Sequence, residues 1–204
     1  MLFSDSYFES ENDTEGVFKN NGSRFLSYAY RVFSEDDIKT KLALLRKTYP
    51  DATHHCYAYI LGYQSLVFRA NDDGEPGNTA GQPILREIRK TGLTNMLVVV
   101  VRYFGGTMLG VPGLIEAYGA AAAECLNKCI RVEKKISELY RLACNFGIEN
   151  EVYQLCRQFN VVANVKPDMQ QFVAEVAVPL LSAEAFKKKA SELYRIQLDY
   201  IGIT

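Results

Sequence analysis

The 204-residue sequence lacks several features that would assign a protein to a class at once. It has no large excess of one charge, because 23 lysine and arginine residues are balanced by 24 aspartate and glutamate residues. No global field therefore marks it as a nucleic-acid binder. Its longest apolar run, MLVVVV at 96–101, is too short to cross a bilayer, and residues 1–13 lack the basic start and apolar stretch of a signal peptide. We therefore expect a cytoplasmic protein with no membrane partner.

The cysteines form no recognisable pattern. There are five of them, an odd number, and no two make a C-x-x-C pair. This usage predicts free thiols in a reducing compartment rather than a disulfide framework. Cys125 and Cys129 would lie one above the other on a helix and could share a metal, but packed thiols are favoured. We expect no metal site and no cofactor.

Hydrophobic periodicity predicts an α+β protein with two domains. Residues 15–33 read as a β-hairpin around Asn21-Gly22, and Ser34 with Asp37 resembles a capping box at the start of the next helix. Strands at 53–61 and 95–104 are predicted next, with a short helix between them near Pro83 and an alanine-rich helix after the second strand. Together these elements would form one α+β domain.

The carboxyl-terminal part shows a different order of elements. Residues 131–138 are interpreted as a charged joint, after which the pattern restarts. From residue 139 the order is strand, helix, strand, strand, helix, strand, which is the ferredoxin-like β-α-β-β-α-β arrangement. We therefore predict domains at residues 1–135 and 136–204.

A glycine-rich loop, RYFGGTMLGVPGL at 102–114, joins a buried strand to a helix. Gly105 and Gly110 have the spacing of a P-loop, but Val111-Pro112 replaces the lysine and hydroxyl residue that bind nucleotide, and the dinucleotide fingerprint is also missing. Backbone N–H groups near a helix amino end attract phosphate or carboxylate, and Arg102 could clamp the same anion. Alternatively, the two adjacent glycines merely permit unusual backbone angles.

A second irregular segment, NDDGEPGNTAGQP at 71–83, is long enough to suggest a functional loop. Asp72, Asp73 and Glu75 give three carboxylates within four residues, which could hold a divalent metal with a neighbouring histidine. Asp-Gly and Glu-Pro-Gly are also ordinary turn sequences, and one loop does not show that the ligands converge, so a structural role is favoured.

Four ordered blocks within residues 15–130 resemble the YigZ/IMPACT family: KNNGSRFLSYAYRV, ATHHCYAYILG, DDGEPGNTAGQPIL and LVVVVRYFGGTMLGVPGLIEAYG. The resemblance implies an amino-terminal domain similar to the second domain of a small-subunit ribosomal protein and to domain IV of elongation factor G. It implies that the carboxyl-terminal domain is similar to another elongation-factor module. It also implies a link to translation, because eukaryotic relatives regulate the kinase that controls initiation. Asn78, Val111-Pro112 and Glu116 depart from the family pattern.

The resemblance leads us to expect a translation-linked binding or regulatory protein that engages RNA, the ribosome or a translation factor. Both loops follow strands and lead into helices, so we predict that they lie side by side and form one concave surface with Arg24 and Arg102 as phosphate clamps. The predicted binding residues are Arg24, His55, Asp73, Glu75, Thr79, Arg102, Tyr103, Phe104, Gly105 and Gly106.

Two alternatives remain open from the sequence. One is a hydrolase-type enzyme that acts on a phosphate- or carboxylate-bearing substrate, with Asp73, Glu75 and His55 as its catalytic residues. The other assigns the glycine blocks to packing alone. The sequence carries no DNA-specific signal and does not fix the oligomeric state.

Overall fold

The computed structural model describes residues 5–203, which fall into two compact units. Phe8–Lys134 form one unit, and residues 135–203 together with residues 5–7 form the other. The described residues contain eleven strands and five helices, so the expected α+β class is confirmed. No helix in this part of the chain combines the length and the apolar character needed to cross a membrane.

The first part of the chain forms a five-stranded antiparallel sheet in the order β2-β3-β6-β4-β5, and β1 pairs with β7 in a separate two-stranded sheet. Its elements are β1 (Ser6–Ser10), β2 (Thr14–Asn20), β3 (Ser23–Arg31), α1 (Glu35–Thr48), β4 (His54–Leu61), β5 (Val67–Asn71), α2 (Gly81–Thr91), β6 (Met96–Tyr103), α3 (Gly110–Leu126) and β7 (Arg131–Lys135).

The central strand β6 is covered on both faces, which explains its unbroken valine run. Val98 and Val100 pack in the core beneath α2 and α3, whereas Val99 and Val101 pack in the core beneath α1. The five-stranded sheet therefore has an α2/α3 face and an α1 face. Alternation along the strands decides which face each site residue occupies.

Helix α1 begins as the sequence predicted. The Ser34 hydroxyl accepts a hydrogen bond from the Asp37 N–H, and the Asp37 carboxylate accepts one from the Ser34 N–H, which completes the capping box. The helix ends at Thr48, two residues before Pro50. The hairpin around Asn21-Gly22 is also present, and both turn residues have positive φ.

The carboxyl-terminal part has the predicted β-α-β-β-α-β order, with a four-stranded antiparallel sheet arranged β11-β8-β10-β9. Its elements are β8 (Ser137–Cys144), α4 (Glu149–Gln158), β9 (Asn164–Lys166), β10 (Phe172–Pro179), α5 (Leu180–Ser191) and β11 (Gln197–Ile203). The boundary between the two units, at Lys134/Lys135, falls within the predicted charged joint at 131–138, but the joint consists of strand β7 and the start of β8. Four of the five residues of β7 are exposed. Its sequence therefore lacks the apolar alternation from which a strand is usually predicted.

Candidate functional site

Two loops of the five-stranded sheet meet at one end of the sheet. The first loop comprises residues 72–80 and leads into α2, and the second loop comprises residues 104–109 and leads into α3. Arg102, the penultimate residue of β6, donates a hydrogen bond from Nη1 to Glu75 Oε1 at 2.5 Å. The prediction that the loops lie side by side is therefore confirmed.

The two loops and the start of α3 enclose a cleft of about 350 Å³, which we call the loop cleft. Its lining residues are Glu75, Pro76, Arg102, Phe104, Met108, Leu109, Gly110, Val111 and Leu114. Three of the apolar ones are at least half exposed: Phe104 at 50%, Met108 at 86% and Val111 at 51%. The loop cleft thus presents mainly hydrocarbon and aromatic surface, and the expected polar seat for an anion is absent from it.

The polar floor of the loop cleft is built around the Glu75 carboxylate, whose side chain is only 4% exposed. Oε1 accepts hydrogen bonds from Arg102 and from the Tyr118 hydroxyl at 2.7 Å, and His54 Nε2 lies 3.8 Å away. Oε2 has no hydrogen-bond partner among the described residues and is not sealed from solvent. Burial raises the pKa of Tyr118, so its hydroxyl stays protonated and donates a hydrogen bond to Glu75.

Arg102 is buried and its charge is compensated. The residue is 5% exposed, and its guanidinium lies 5.5 Å from the ring centre of Phe25 and 5.6 Å from that of Phe104. Nη2 reaches the Ser23 hydroxyl at 3.4 Å, and Nε has no partner in the described structure. A buried cation that is already paired with Glu75 is poorly suited to the predicted role of a phosphate clamp.

The three carboxylates of the first loop point to three different partners. Asp72 accepts the backbone N–H groups of Asn78, Ala80 and Gly81 at 2.8–3.0 Å, so it caps the start of α2 from outside the helix. Asp73 accepts the His55 N–H and pairs with Arg46 of α1, both at 2.7 Å. Because the carboxylates diverge, they form no metal-binding cluster among residues 5–203.

The alternative catalytic set of Asp73, Glu75 and His55 does not converge on one cavity. His55 extends on the α1 face, where it is 6% exposed, and its Nε2 is buried without a partner among residues 5–203. Burial and the nearby Arg46 lower the pKa of His55. Burial alone would raise the pKa of Asp73, but the His55 N–H and Arg46 hold it below its usual range. Glu75 lies on the other face, so these residues stabilise the fold on separate sides of the sheet.

Cys56, which follows His54 and His55 in β4, also has a structural role. The Cys56 thiol donates towards the Asp72 carbonyl at 3.0 Å and the Tyr118 hydroxyl at 3.3 Å. Burial raises its pKa, which opposes formation of the thiolate that a nucleophile requires.

The second loop is anchored to the tip of the β2–β3 hairpin by a backbone contact. A Cβ atom on Gly105 would lie 1.9 Å from the Gly22 carbonyl carbon, so only glycine fits there. The Gly105 N–H also donates to the Ser23 hydroxyl at 3.2 Å. Gly106 has open space around it and a φ of +86°. The adjacent glycines therefore have different roles, one in close packing and one in backbone conformation.

The remaining predicted residues lie outside the loop cleft. The Thr79 hydroxyl is buried and donates to the Pro76 carbonyl at 2.6 Å, and Tyr103 extends on the α1 face and donates to Asp51 at 3.1 Å. Arg24 lies beside Tyr103 on that same face, at the hairpin tip. Of the ten predicted binding residues, three line the loop cleft: Glu75, Arg102 and Phe104.

A pair of cations stands at the hairpin tip. Lys19 lies directly opposite Arg24 in the β2–β3 register, and neither forms an ion pair within the described chain. Residues 19–24 line a concave region of about 400 Å³. Lys19 was not among the predicted binding residues. The two-residue Asn21-Gly22 turn could have identified it, because that turn fixes the register that places Lys19 opposite Arg24.

Met108 was also not predicted. The sequence signal that could have identified it is an apolar residue within a glycine-rich loop.

Comparison with known proteins identifies close relatives. Residues 21–126 match the family model described as the Impact N-terminal domain. The chain is 36% identical over 168 residues to the IMPACT family member YvyE of Bacillus subtilis, across 79% of this chain and 77% of the relative. It is 35% identical to an IMPACT family member of Haemophilus influenzae, across 88% and 90% of the two chains. A solved crystal structure of a hypothetical protein matches with a TM-score of 0.75 and 28% identity, and 98% of each chain is covered.

Proposed function

This chain belongs to the IMPACT family, and on that premise we propose that it is a translation-linked regulatory protein that binds single-stranded RNA, such as RNA exposed on the ribosome. The link to translation is what the family resemblance implies. RNA is favoured as the partner by the end of the five-stranded sheet, where two unpaired cations lie at the tip of the β2–β3 hairpin and an exposed aromatic ring lies in the second loop, which touches that tip.

The observation that carries this proposal is the unpaired Lys19–Arg24 pair. Like charges placed directly opposite each other on neighbouring strands destabilise a sheet, by up to about 1 kcal/mol. The chain supplies no carboxylate within ion-pair distance of either side chain among the described residues. A phosphate between the two cations would remove this repulsion and gain two charge-assisted contacts.

The second loop places an aromatic side chain at the same end of the sheet as these cations, but on the opposite face. The Gly105–Gly22 contact joins the hairpin tip to the second loop, and Phe104, next to that contact, is 50% exposed. Lys19 and Arg24 extend on the α1 face, whereas the loop cleft opens on the α2/α3 face, so a strand of RNA would cross the end of the sheet between them. Sequence-tolerant binding of single strands uses this combination of cations for phosphates and rings for bases.

The test is a binding titration with single-stranded RNA of mixed sequence and with purified ribosomal particles at several potassium chloride concentrations. The wild-type affinity should fall steeply with salt, and the double variant Lys19→Gln/Arg24→Gln should bind more weakly. Loss of two phosphate contacts should reduce the slope of log K against log salt by about 1.4.

The matched control is Lys134→Gln/Lys188→Gln, which removes the same charge from two exposed positions, one in β7 and one in α5, far from the tip in sequence. It should keep the wild-type slope. If both double variants behave alike, or if the wild-type protein binds neither RNA nor ribosomal particles, the proposal is wrong.

A further inference from the structure

We infer that the loop cleft is a subsite for one unstacked guanine base of the bound RNA, an inference that rests on the proposed function. It assigns a ligand to a feature at this end of the sheet that phosphate binding leaves unused. Four properties carry it: the size of the cleft, its exposed aromatic wall, its acceptor at the floor, and its closeness to the cationic tip.

The size and the walls suit a single flat ring system. A volume of about 350 Å³ lies near the lower limit of small-molecule sites, which favours one nucleoside over a larger ligand. Phe104 offers a half-exposed ring, and Met108 offers a polarisable side chain that is 86% exposed. Unpaired bases are commonly bound in this way, splayed out of the strand and stacked on an aromatic side chain.

The floor of the cleft sets the hydrogen-bonding requirement. Arg102 and Tyr118 both donate to Glu75 Oε1, which holds the carboxylate in one orientation. Both hydrogen bonds of the Glu75 carboxylate go to Oε1, so Oε2 remains without a partner in the described structure, and a carboxylate can only accept. A ligand that fits must therefore present donors to the floor. The Arg102 guanidinium beside it can donate to a ligand carbonyl.

Among the four RNA bases, guanine meets this requirement best. Its Watson–Crick edge carries two adjacent donors, N1–H and N2–H, beside the O6 acceptor. Adenine and cytosine place a ring nitrogen acceptor next to their amino group, and uracil places its single N–H between two carbonyls. When one of these three bases turns its Watson–Crick edge to the floor, at least one lone pair faces the Glu75 carboxylate. A base edge that offers only donors to Glu75 Oε2 avoids this repulsion, and we expect that match to discriminate between the bases by about tenfold.

A purely apolar occupant, such as an aliphatic side chain of a partner protein, fits less well. It would cover Glu75 Oε2 and leave that oxygen dry and unpaired, which carries a desolvation cost. Such an apolar side chain also gives no role to the unpaired Lys19 and Arg24, which lie at the same end of the sheet. The guanine base uses the apolar walls, the acceptor and the neighbouring cations together.

The first experiment changes only the ligand, so the fold of the protein is not at risk. Fluorescence anisotropy is measured with labelled oligouridines of about nine nucleotides whose central base is G, A, C, U or inosine. The G-containing strand should bind about tenfold more tightly than the A, C or U strands. Inosine keeps N1–H but lacks the N2 amino group, so it should bind with intermediate affinity.

The second experiment removes the stacking wall. Phe104→Ala should abolish the preference for G but keep the salt dependence that Lys19 and Arg24 provide. Phe146→Ala is the matched control, because Phe146 is an exposed phenylalanine of the other unit at 58% exposure, and it should change neither quantity.

The outcomes separate the two proposals. Equal affinity for all central bases, with a salt slope that still depends on Lys19 and Arg24, would overturn the guanine subsite and leave RNA binding in place. A preference for G that survives Phe104→Ala would also overturn the subsite, because the base would then bind elsewhere. A complete lack of RNA binding would overturn both proposals.

Discussion

The first and second loops both lead from a strand of the same sheet into a helix, yet they differ in almost every physical property. In the first loop, each of the three carboxylates has a partner within the fold, and Asp72 caps the helix that follows. In the second loop, Phe104 and Met108 are exposed, and the N-cap residue Leu109 makes no side-chain hydrogen bond to α3. The polar loop therefore serves mainly as scaffold, and the apolar loop provides most of the exposed surface of the loop cleft.

The largest expected effect on stability concerns Gly105, the point at which the second loop packs against the β2–β3 hairpin. Gly105→Ala would place a methyl group on the Gly22 backbone, where neither side can yield, so we expect a loss of more than about 3 kcal/mol in the free energy of unfolding. Gly106→Ala is the control, because its methyl group enters open space and pays only for the positive φ, about 1–2 kcal/mol. Urea denaturation of both variants measures the difference, and equal losses would contradict the packing argument.

The next effect concerns the cap that the first loop provides. Asp72→Ala removes the acceptor of three backbone N–H groups, and we expect it to cost about 1–2 kcal/mol of stability. Asp72→Asn keeps one oxygen and should cost less. Asp36→Ala, at an exposed carboxylate in the first turn of α1, should change stability by no more than about 0.5 kcal/mol. Thermal or chemical unfolding measures these losses. If Asp36→Ala loses more stability than Asp72→Ala, Asp72 does not stabilise the start of α2.

A smaller effect should appear as a pH dependence near the first loop. Burial lowers the pKa of His55 in the folded state, so the unfolded chain binds the proton more readily. Above the ordinary histidine pKa of about 6.5, neutral His55 does not reduce the free energy of unfolding. As the pH falls below that value, the free energy of unfolding decreases by at most about 1.4 kcal/mol per pH unit. Urea titrations at several pH values between 7.5 and 5.5 should show this decline in the wild type, with a shallower decline in His55→Gln. Parallel curves would mean that another group is responsible.

The smallest expected effect on stability is at Met108, an exposed residue of the second loop. Met108→Ser should change the free energy of unfolding by no more than about 0.5 kcal/mol, because the side chain is 86% exposed. The same change should weaken the preference for guanine in the oligonucleotide titration. Leu181→Ser, at a 79% exposed leucine of α5, is the control and should leave both stability and RNA affinity unchanged. A large loss of stability in Met108→Ser would show that this loop, too, is mainly scaffold.

The sequence predicted local structure well where one physical signal dominates. The Asn21-Gly22 turn, the Ser34–Asp37 capping box and the valine run of β6 each depend on neighbouring residues, and all three appear as expected. The ferredoxin-like order also followed from periodicity. Strand β7 was missed because its exposed, charged residues carry no alternation.

The candidate site was harder to predict because its chemistry depends on long-range partners. Arg102 and Glu75 were each chosen as binding residues, but 26 residues separate them and nothing local shows that they neutralise each other. The same limit applies to Asp73, whose partner Arg46 comes from α1. Met108 and Lys19 gained their importance from what the fold leaves unpaired or uncovered, a property that only tertiary structure reveals.

The contact between Gly22 and Gly105 has a consequence for the geometry of any RNA bound here. Because the hairpin and the second loop touch through main-chain atoms alone, neither can slide past the other by a simple side-chain rotation. The backbone of the Lys19–Arg24 pair is thus held at a set distance from the backbone of Phe104. An RNA strand that contacts both must be long enough to span that distance, so a minimum length would accompany the preference for a base.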